Sequence, residues 1–460
     1  MDKSKIMSEL EDSFKRKRPR SWAQFQRSEK SLIRGGSHNL RLFSPFPFYD
    51  VCSSGSKVTD LDGFTYIDFW QGHFTNILGH NPPVVTEMLR DYFAAGQGLI
   101  TGFPGSGQVE LAELILKSTG MERIRFTTSG TLATMYATML ARAFTGRALT
   151  VKVGGGWHGA HPCLLKGVGT FKDGLNQIES AGLPSDIDAS TLIVRYNDLD
   201  DLAKIFNRQG DRIASMIIEP MVGAGGLIFA EKEFMDLARR LTHEHGALLI
   251  VDEVISAFRF CAGPLFRLYD VWPDMLTLGK CIGGGLPIGA LAGREEIMAL
   301  CGPNVGAGRQ VRFDGGTFSA LPATMAAGKS FLEYLIENEA DIYPVLGALG
   351  NRVREGIEKI FKETGMKVIC SGDGRPLTEN SSLVGVHFLN CELDDLTSPE
   401  QAWNPEIVDF ELREKIFKLA MIEEGVHTFH GFGGISAAHS ETDIEASLEA
   451  VNRIAKKWSK

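Results

Sequence analysis

The stretch GALLIVDEV, residues 246–254, carries five apolar residues in a row, Ala247 to Val251, and then an acid. A run with no polar face is what a parallel strand needs when helices cover both sides of its sheet. Asp252 stands where that strand should end, and open α/β sheets bind ligands at the carboxyl ends of their strands. Asp252 is therefore a candidate ligand-holding residue. A helix N-cap or a surface turn explains an isolated aspartate equally well. Glu253 points to the opposite face and reads as structural.

Similar short apolar runs recur on both sides of this one. They are RIRFTTS (123–129), ALTVKV (148–153), STLIVRYND (190–198) and IASMIIEP (213–220). Between them lie amphipathic patterns, ATMYATMLARAF (133–144) and EKEFMDLARRLTHEHG (231–246), the second stopped by a glycine. Alternating strand and helix predicts a doubly wound, mostly parallel sheet with helices on both faces. Upstream, KVTDLDGFTYIDFW (57–70) reads as a hairpin turning at Asp62-Gly63. Around residue 335 the pattern changes to a long charged helix (343–365), a strand-like SLVGVHFLN and a final helix at about 442–458. A chain of 460 residues exceeds what one core usually organises. The expected division is residues 1–95 joining a small domain, 96–335 as the large domain and 336–460 as the rest of the small one.

Charge and cysteine usage narrow the function classes. The net charge of -9 argues against general nucleic-acid binding. The basic run KRKRPR (15–20) is read as a solvated face of a charged leader. Seven cysteines without a CxxC pair fit reduced thiols in a cytoplasmic protein. No segment has the ~18 consecutive apolar residues of a membrane span.

Downstream, MLTLGKCIGGGLPIGA (275–290) places one lysine, Lys280, between an apolar run and the turn-forming Gly283, Gly284 and Gly285, with no acid in the stretch. An ammonium in such a setting has a depressed pKa, and a neutral amine makes an imine with a carbonyl. A lysine snorkelling from a strand edge is the simpler alternative. In TTSGTLATMYATML, Ser129, Gly130 and Thr131 follow a strand and open a helix, the setting of a phosphate site. A plain N-cap by Ser129 or Thr131 reads equally well there. VKVGGGWHGAH offers Trp157 after a glycine turn, for stacking on a planar ring or for packing. The same stretch matches G-x-G-x-x-G but opens no helix and lacks the required acid, so a dinucleotide site is rejected. LGK at 278–280 is no Walker lysine, since Cys281 replaces the hydroxyl residue. His243 and His245, two residues apart on a helix, face different directions and make a poor metal pair; no metal is expected. A lysine, a ring-nitrogen carboxylate, a phosphate cup and an aromatic, each at a strand end, jointly describe a pyridoxal 5'-phosphate site.

On these motifs the chain resembles the class III aminotransferases of fold type I, within the branch of the glutamate-1-semialdehyde 2,1-aminomutases. The likeness is strongest in LLIVDEVISAFR, PDMLTLGKCIGGGLPIGALAGREEIM and FTTSGTLATMYATMLARAFTGR. It implies a large mixed sheet domain, with a smaller α+β domain built from both chain ends. It implies that Lys280 carries the cofactor imine, that Asp252 pairs with the pyridine nitrogen and that Val254 packs on the ring. Ser129, Gly130 and Thr131 would hold the phosphate, and Trp157 would stack on the ring beside His158. Glu219, of the Glu-Pro pair, would lie near the cofactor. Thr317 of GGTFSALP would reach the phosphate of a neighbouring subunit, implying a homodimer with shared sites.

Two departures bear on the reaction. Val222 and Ala224 stand where relatives carry a polar residue near the cofactor's phenolic oxygen, and Gly431 stands where the aminomutase has an acid. The flanking GFGG reads as a flexible loop. The expectation is a ping-pong aminotransferase, moving an amino group from an amino acid or amine donor to a 2-oxo acid acceptor. Intramolecular transfer by an aminomutase is the alternative. Arg41, after the Gly-Gly of RGGSHNLRLF, is the candidate clamp for a substrate carboxylate, with Arg34 the weaker one.

Overall fold

All five residues of strand Leu248–Asp252 are buried, and the strand lies fourth of seven in a large sheet. In order across that sheet come Arg123–Thr127, Gly289–Gly293, Met275–Gly279, Leu248–Asp252, Ile213–Ile218, Leu149–Val153 and Thr191–Val194. Gly289–Gly293 is antiparallel to both neighbours, and the other pairs are parallel. The structure is a computed structural model and describes residues 2–459 except 170–176, 179, 185, 304, 307, 429–430 and 432.

The parallel strands place their carboxyl ends on one edge, and the candidate residues follow directly. Ser129 comes two residues after Thr127, Trp157 four after Val153, Glu219 one after Ile218 and Lys280 one after Gly279, while Asp252 closes its own strand. Helix Gly130–Thr145 starts where Ser129 Oγ accepts the Leu132 N–H and stops at Gly146, whose φ of 70° suits a glycine C-cap. Helix Lys232–Glu244 ends as the sequence predicts, just before Gly246.

The two ends of the chain meet in a second sheet. Strands Asp50–Ser54, Lys57–Asp60 and Thr65–Asp68 form the expected hairpin region, and Val426–His427 adds to it in parallel beside Thr65–Asp68. A third sheet joins Val368–Ser371, Leu383–Phe388 and Gly433–Gly434. Helices Glu339–Glu363 and Glu441–Trp458 pack against each other, the second opened by a capping box of Ser440 and Asp443. The long helix starts before the predicted residue 343 and includes Pro344. Among the described residues no helix is long and apolar enough to cross a membrane.

The basic leader corrects its sequence reading. Lys3–Lys17 and Pro19–Ser28 are helices, and Arg18 between them is buried. Its guanidinium donates from Nε to Tyr66 Oη at 2.9 Å, pairs with Glu423 and lies 4.1 Å from the Phe14 ring centroid. Charge-run reasoning treats KRKRPR as one solvated face. Arg18 departs from it because a flat guanidinium can be buried when aromatic faces and a carboxylate receive it.

Candidate active site

Lys280 leaves its strand with φ +47°, a left-handed conformation that costs a non-glycine residue about 1–2 kcal/mol. Gly284, four residues on, also has positive φ, and a Cβ there would lie 2.6 Å from the Ala327 carbonyl oxygen. This turn aims the lysine back across the sheet edge. No hydrogen bond or ion pair holds the Lys280 amine among the described residues. Burial lowers its pKa, and the Asp252 and Glu219 carboxyls oppose that shift without cancelling it. The side chain keeps part of its surface open, so the amine is desolvated but reachable.

Asp252 is fixed by three donors. Its Oδ1 accepts from Thr277 Oγ at 2.9 Å and from the Val254 N–H at 3.1 Å, and its Oδ2 lies 2.7 Å from His158 Nδ1. Burial lowers the His158 pKa despite the carboxyl, so the ring is neutral and Nδ1 carries the hydrogen donated to Asp252. The far nitrogen, His158 Nε2, is buried without a hydrogen-bond partner. Each carboxylate oxygen accepts about two hydrogen bonds, so Oδ2 retains one position for a further donor.

Glu219 lies close enough to feel the charges of both Asp252 and Lys280. Its oxygens accept the Trp157 N–H at 2.8 Å and the Gly223 N–H at 3.2 Å. Burial first, and the Asp252 charge second, push its pKa up to about 8. The Trp157 indole is 40% exposed, which leaves a face free for a planar partner. Val254 packs against the start of the helix, where a Cβ on Gly130 would lie 2.9 Å from Val254 Cγ2. Glu253 turns away, as read from the sequence. It accepts the Leu265 and Phe266 N–H groups and the Ser256 hydroxyl.

The anion cup is made of backbone. The Ser129 hydroxyl serves as N-cap, so the N-cap reading describes its side chain. The N–H groups of Gly130 and Thr131, in the first helical turn, have no intrahelical acceptor and suit a phosphate. Gly159 packs so closely that a Cβ there would lie 2.3 Å from Thr131 Oγ1, and Thr134 Oγ1 donates to the His158 carbonyl at 2.7 Å. The cup and the Trp157–His158 turn are thus one packed unit. Thr317 is exposed on the turn whose Gly315 carbonyl accepts the Thr128 N–H at 3.3 Å.

Other expectations fare unevenly. Val222 is buried in a short strand and offers no polar group, while Ala224 presents its carbonyl to Trp403 Nε1 at 3.0 Å. Arg41 is exposed in the turn Asn39–Arg41 and has no ion-pair partner among the described residues; its charge helps lower the His38 pKa, after burial. Arg34 is exposed in the preceding turn. The flexible-loop reading of GFGG is overturned for its described residues. Gly431 is buried against the Val386 carbonyl, and Gly433 and Gly434 pair with Val384 and Leu383. His430 and Phe432 of that stretch lie outside the described residues. Flanking glycines suggest mobility when no neighbour is visible, but here they let one strand approach Phe69 and the third sheet closely.

Sequence reasoning missed Thr277 and the turn Gln71–Phe74. A threonine in a strand carries no signal, and a turn with one glycine among four residues of positive φ announces no left-handed run.

Comparison with known proteins now decides the family, because a model described as Aminotransferase class-III matches residues 44–369. The chain belongs to the class III aminotransferases. Among relatives of this aminotransferase-family chain, a glutamate-1-semialdehyde 2,1-aminomutase of Thermoplasma volcanium is 36% identical over 435 residues, covering 93% of this chain and 97% of that protein. Among solved structures, a β-phenylalanine aminotransferase from Variovorax paradoxus is 28% identical with a TM-score of 0.85, covering 99% of this chain and 98% of that one. A transaminase solved with pyridoxal phosphate bound is also 28% identical, with a TM-score of 0.81, over 96% of this chain and 98% of that one. The architecture of this class III aminotransferase is that of the fold type I transferases.

Proposed function

We propose that this enzyme is a glutamate-1-semialdehyde 2,1-aminomutase, moving an amino group between two carbons of one substrate molecule. The observation that carries the reading is the 36% identity, over nearly the whole chain, to a protein of that name. The buried Gly431 and the paired Gly433–Gly434 add support, since a mutase must retain its half-reacted substrate and a packed wall serves retention better than a loose loop.

Pyridoxal 5'-phosphate is the cofactor, and the residues present fit it. Among the described residues His158 Nε2 is buried without a hydrogen-bond partner, no ion pair holds the Lys280 amine, and the N–H groups of Gly130 and Thr131 have no intrahelical acceptor. When bound, the cofactor supplies an electron sink for the substrate carbon next to the transferred nitrogen. Gly130 and Thr131 hold its phosphate beside Ser129, with Thr317 reaching in from a second copy of the chain. Trp157 and Val254 flank its ring. Asp252 Oδ2 would accept a hydrogen bond from a protonated ring nitrogen, and His158 keeps that carboxylate oriented. Glu219, protonated near neutral pH, places an uncharged carboxyl beside Asp252. Lys280 Nζ, its pKa lowered by desolvation, would attach the cofactor and would serve as the base that moves a proton at the substrate carbon. Arg41 receives the substrate carboxylate.

A second reading, intermolecular transamination, is favoured by one position. Gly431 has no carboxylate where the aminomutase pattern has one, and the transaminases among the solved neighbours share 28% of their sequence with this chain. Supplying glutamate-1-semialdehyde alone, and separately amine donors with pyruvate or 2-oxoglutarate, divides the two. The proposal expects 5-aminolevulinate from the semialdehyde with no acceptor added. Amino transfer to a 2-oxo acid, with the semialdehyde left unconverted, would overturn it in favour of the transaminase.

A further inference from the structure

Gln71, Gly72, His73 and Phe74 all have positive φ, at 48°, 58°, 58° and 68°. Three of the four are not glycine, so this left-handed turn persists only because its surroundings over-determine it. At its start, the Asp68 carboxylate accepts the N–H groups of Trp70 and Gln71, each at 3.0 Å, and is itself held by His80 Nε2 and His427 Nδ1 at 2.8 Å. At its end, the Phe74 carbonyl receives Arg259 Nη2 and lies 3.7 Å from the sulfur of Cys281, the residue after Lys280. The turn is therefore a fixed wall that runs from the N-terminal sheet to the catalytic lysine.

The segment carrying Arg41 is fastened to this wall on both sides of Arg41. Three residues before it, the His38 ring sits 4.7 Å from the His73 ring. Two residues after it, the Phe43 ring lies 5.0 Å from the Lys418 ammonium, which also lies 5.0 Å from the Trp70 ring. Trp70 is in turn stacked on His427 at 5.6 Å. Lys418 is 8% exposed, and among the described residues no hydrogen bond or ion pair holds its ammonium; burial lowers its pKa to about 8, and the Glu414 carboxylate opposes that shift without cancelling it. Burying an ammonium without an anion is costly. Besides the Glu414 charge, two aromatic faces receive it, and they belong to two different pieces of chain.

We infer that Lys418 is a positioning residue: its ammonium, bracketed between Phe43 and Trp70, locks the N-terminal segment onto the Gln71–Phe74 turn and so places Arg41 at the substrate carboxylate. The inference rests on the reading of Arg41 as the carboxylate clamp. It explains why a cation is buried with no acid in direct contact, and why the ties lie on both sides of an exposed arginine that has no ion pair among the described residues. Lysine deprotonation or truncation would remove the tie from Phe43 to Trp70, leaving the His38 contact and the edge contacts of Phe43 with Phe14 and Phe48.

The test uses the holoenzyme and 5-aminolevulinate, a carboxylate-bearing amine whose binding is read from the cofactor's absorbance under either reading of the overall reaction. Lys418→Met should weaken binding about fivefold to tenfold, Lys418→Arg should stay within about twofold because a guanidinium keeps both ring contacts, and Arg41→Gln should lose about tenfold or more. Arg41→Gln combined with Lys418→Met should bind no more weakly than Arg41→Gln alone, since Lys418 acts through Arg41. Phe43→Leu, which opens the bracket from the other side without touching the buried lysine, should mimic Lys418→Met. Unchanged absorbance of the unliganded variants and an unchanged melting temperature separate this loss from misfolding. Wild-type affinity in Arg41→Gln would remove the clamp reading and the positioning role with it. Weakened binding in Arg41→Gln with wild-type affinity in Lys418→Met and Phe43→Leu, or losses that add in full in the double variant, would overturn the role of Lys418 alone.

Discussion

Asp252 gains its function from what surrounds it. Thr277, Val254 and His158 occupy three acceptor positions and leave one, so the carboxylate cannot rotate to follow solvent or any other cation. Asparagine at this position keeps the shape and loses the charge. We expect Asp252→Asn to retain the cofactor while turnover falls by roughly 10²–10³-fold, the scale on which single preorganised electrostatic groups act. Absorbance of the purified variant, together with its rate, checks both halves. Activity within a few-fold of the parent would make Asp252 structural. At this scale the sequence was informative where a residue type contradicts its setting, as Lys280 and Asp252 do at the ends of apolar strands. Thr277 gave no such contradiction. The neutral state and the orphan nitrogen of His158 depend on burial by residues far away in the chain, which no local pattern records.

Strands and turns place these residues through contacts that glycines permit. Gly289 lies in the antiparallel strand, where a Cβ would fall 2.2 Å from the Ser129 carbonyl oxygen and 2.5 Å from Thr127 Oγ1. Gly289→Ala must push the cup turn outward, at a cost of roughly 1–3 kcal/mol as overpacking usually brings. We expect this variant, which alters no cofactor-contacting group, to lose cofactor on dialysis faster than the parent. Equal retention would mean that the cup tolerates displacement. The strand–helix alternation from 123 to 254 was legible from hydrophobic period and helix stops, because each element buries a face that its own residues announce. The Gln71–Phe74 turn was not, since DFWQGHF contains one glycine and the left-handed run is imposed by Asp68 and Arg259 from outside. GFGG misled for the related reason that close approach and mobility both call for glycine.

The whole molecule brings the chain's two ends together in one sheet. Val426–His427 pairs with Thr65–Asp68, so Asp68 binds a histidine 359 positions later and Lys418 reaches Trp70. The segment bearing Arg41 and the turn leading to Cys281 therefore depend on both termini being folded. This arrangement was only partly visible in the sequence. The change of pattern near residue 335 and the early hairpin are there to read, whereas the parallel pairing of a two-residue strand with the hairpin, and the burial of Arg18, arise from long-range packing alone.

The central claim is that one desolvated lysine, aimed by a strained turn at the sheet edge, carries the cofactor beside Asp252. Borohydride reduction of the purified holoenzyme followed by peptide mapping tests it. The account predicts the reduced cofactor on the peptide containing Lys280. Its recovery on another buried lysine, such as Lys152, Lys166 or Lys418, or on no lysine at all, would contradict the account.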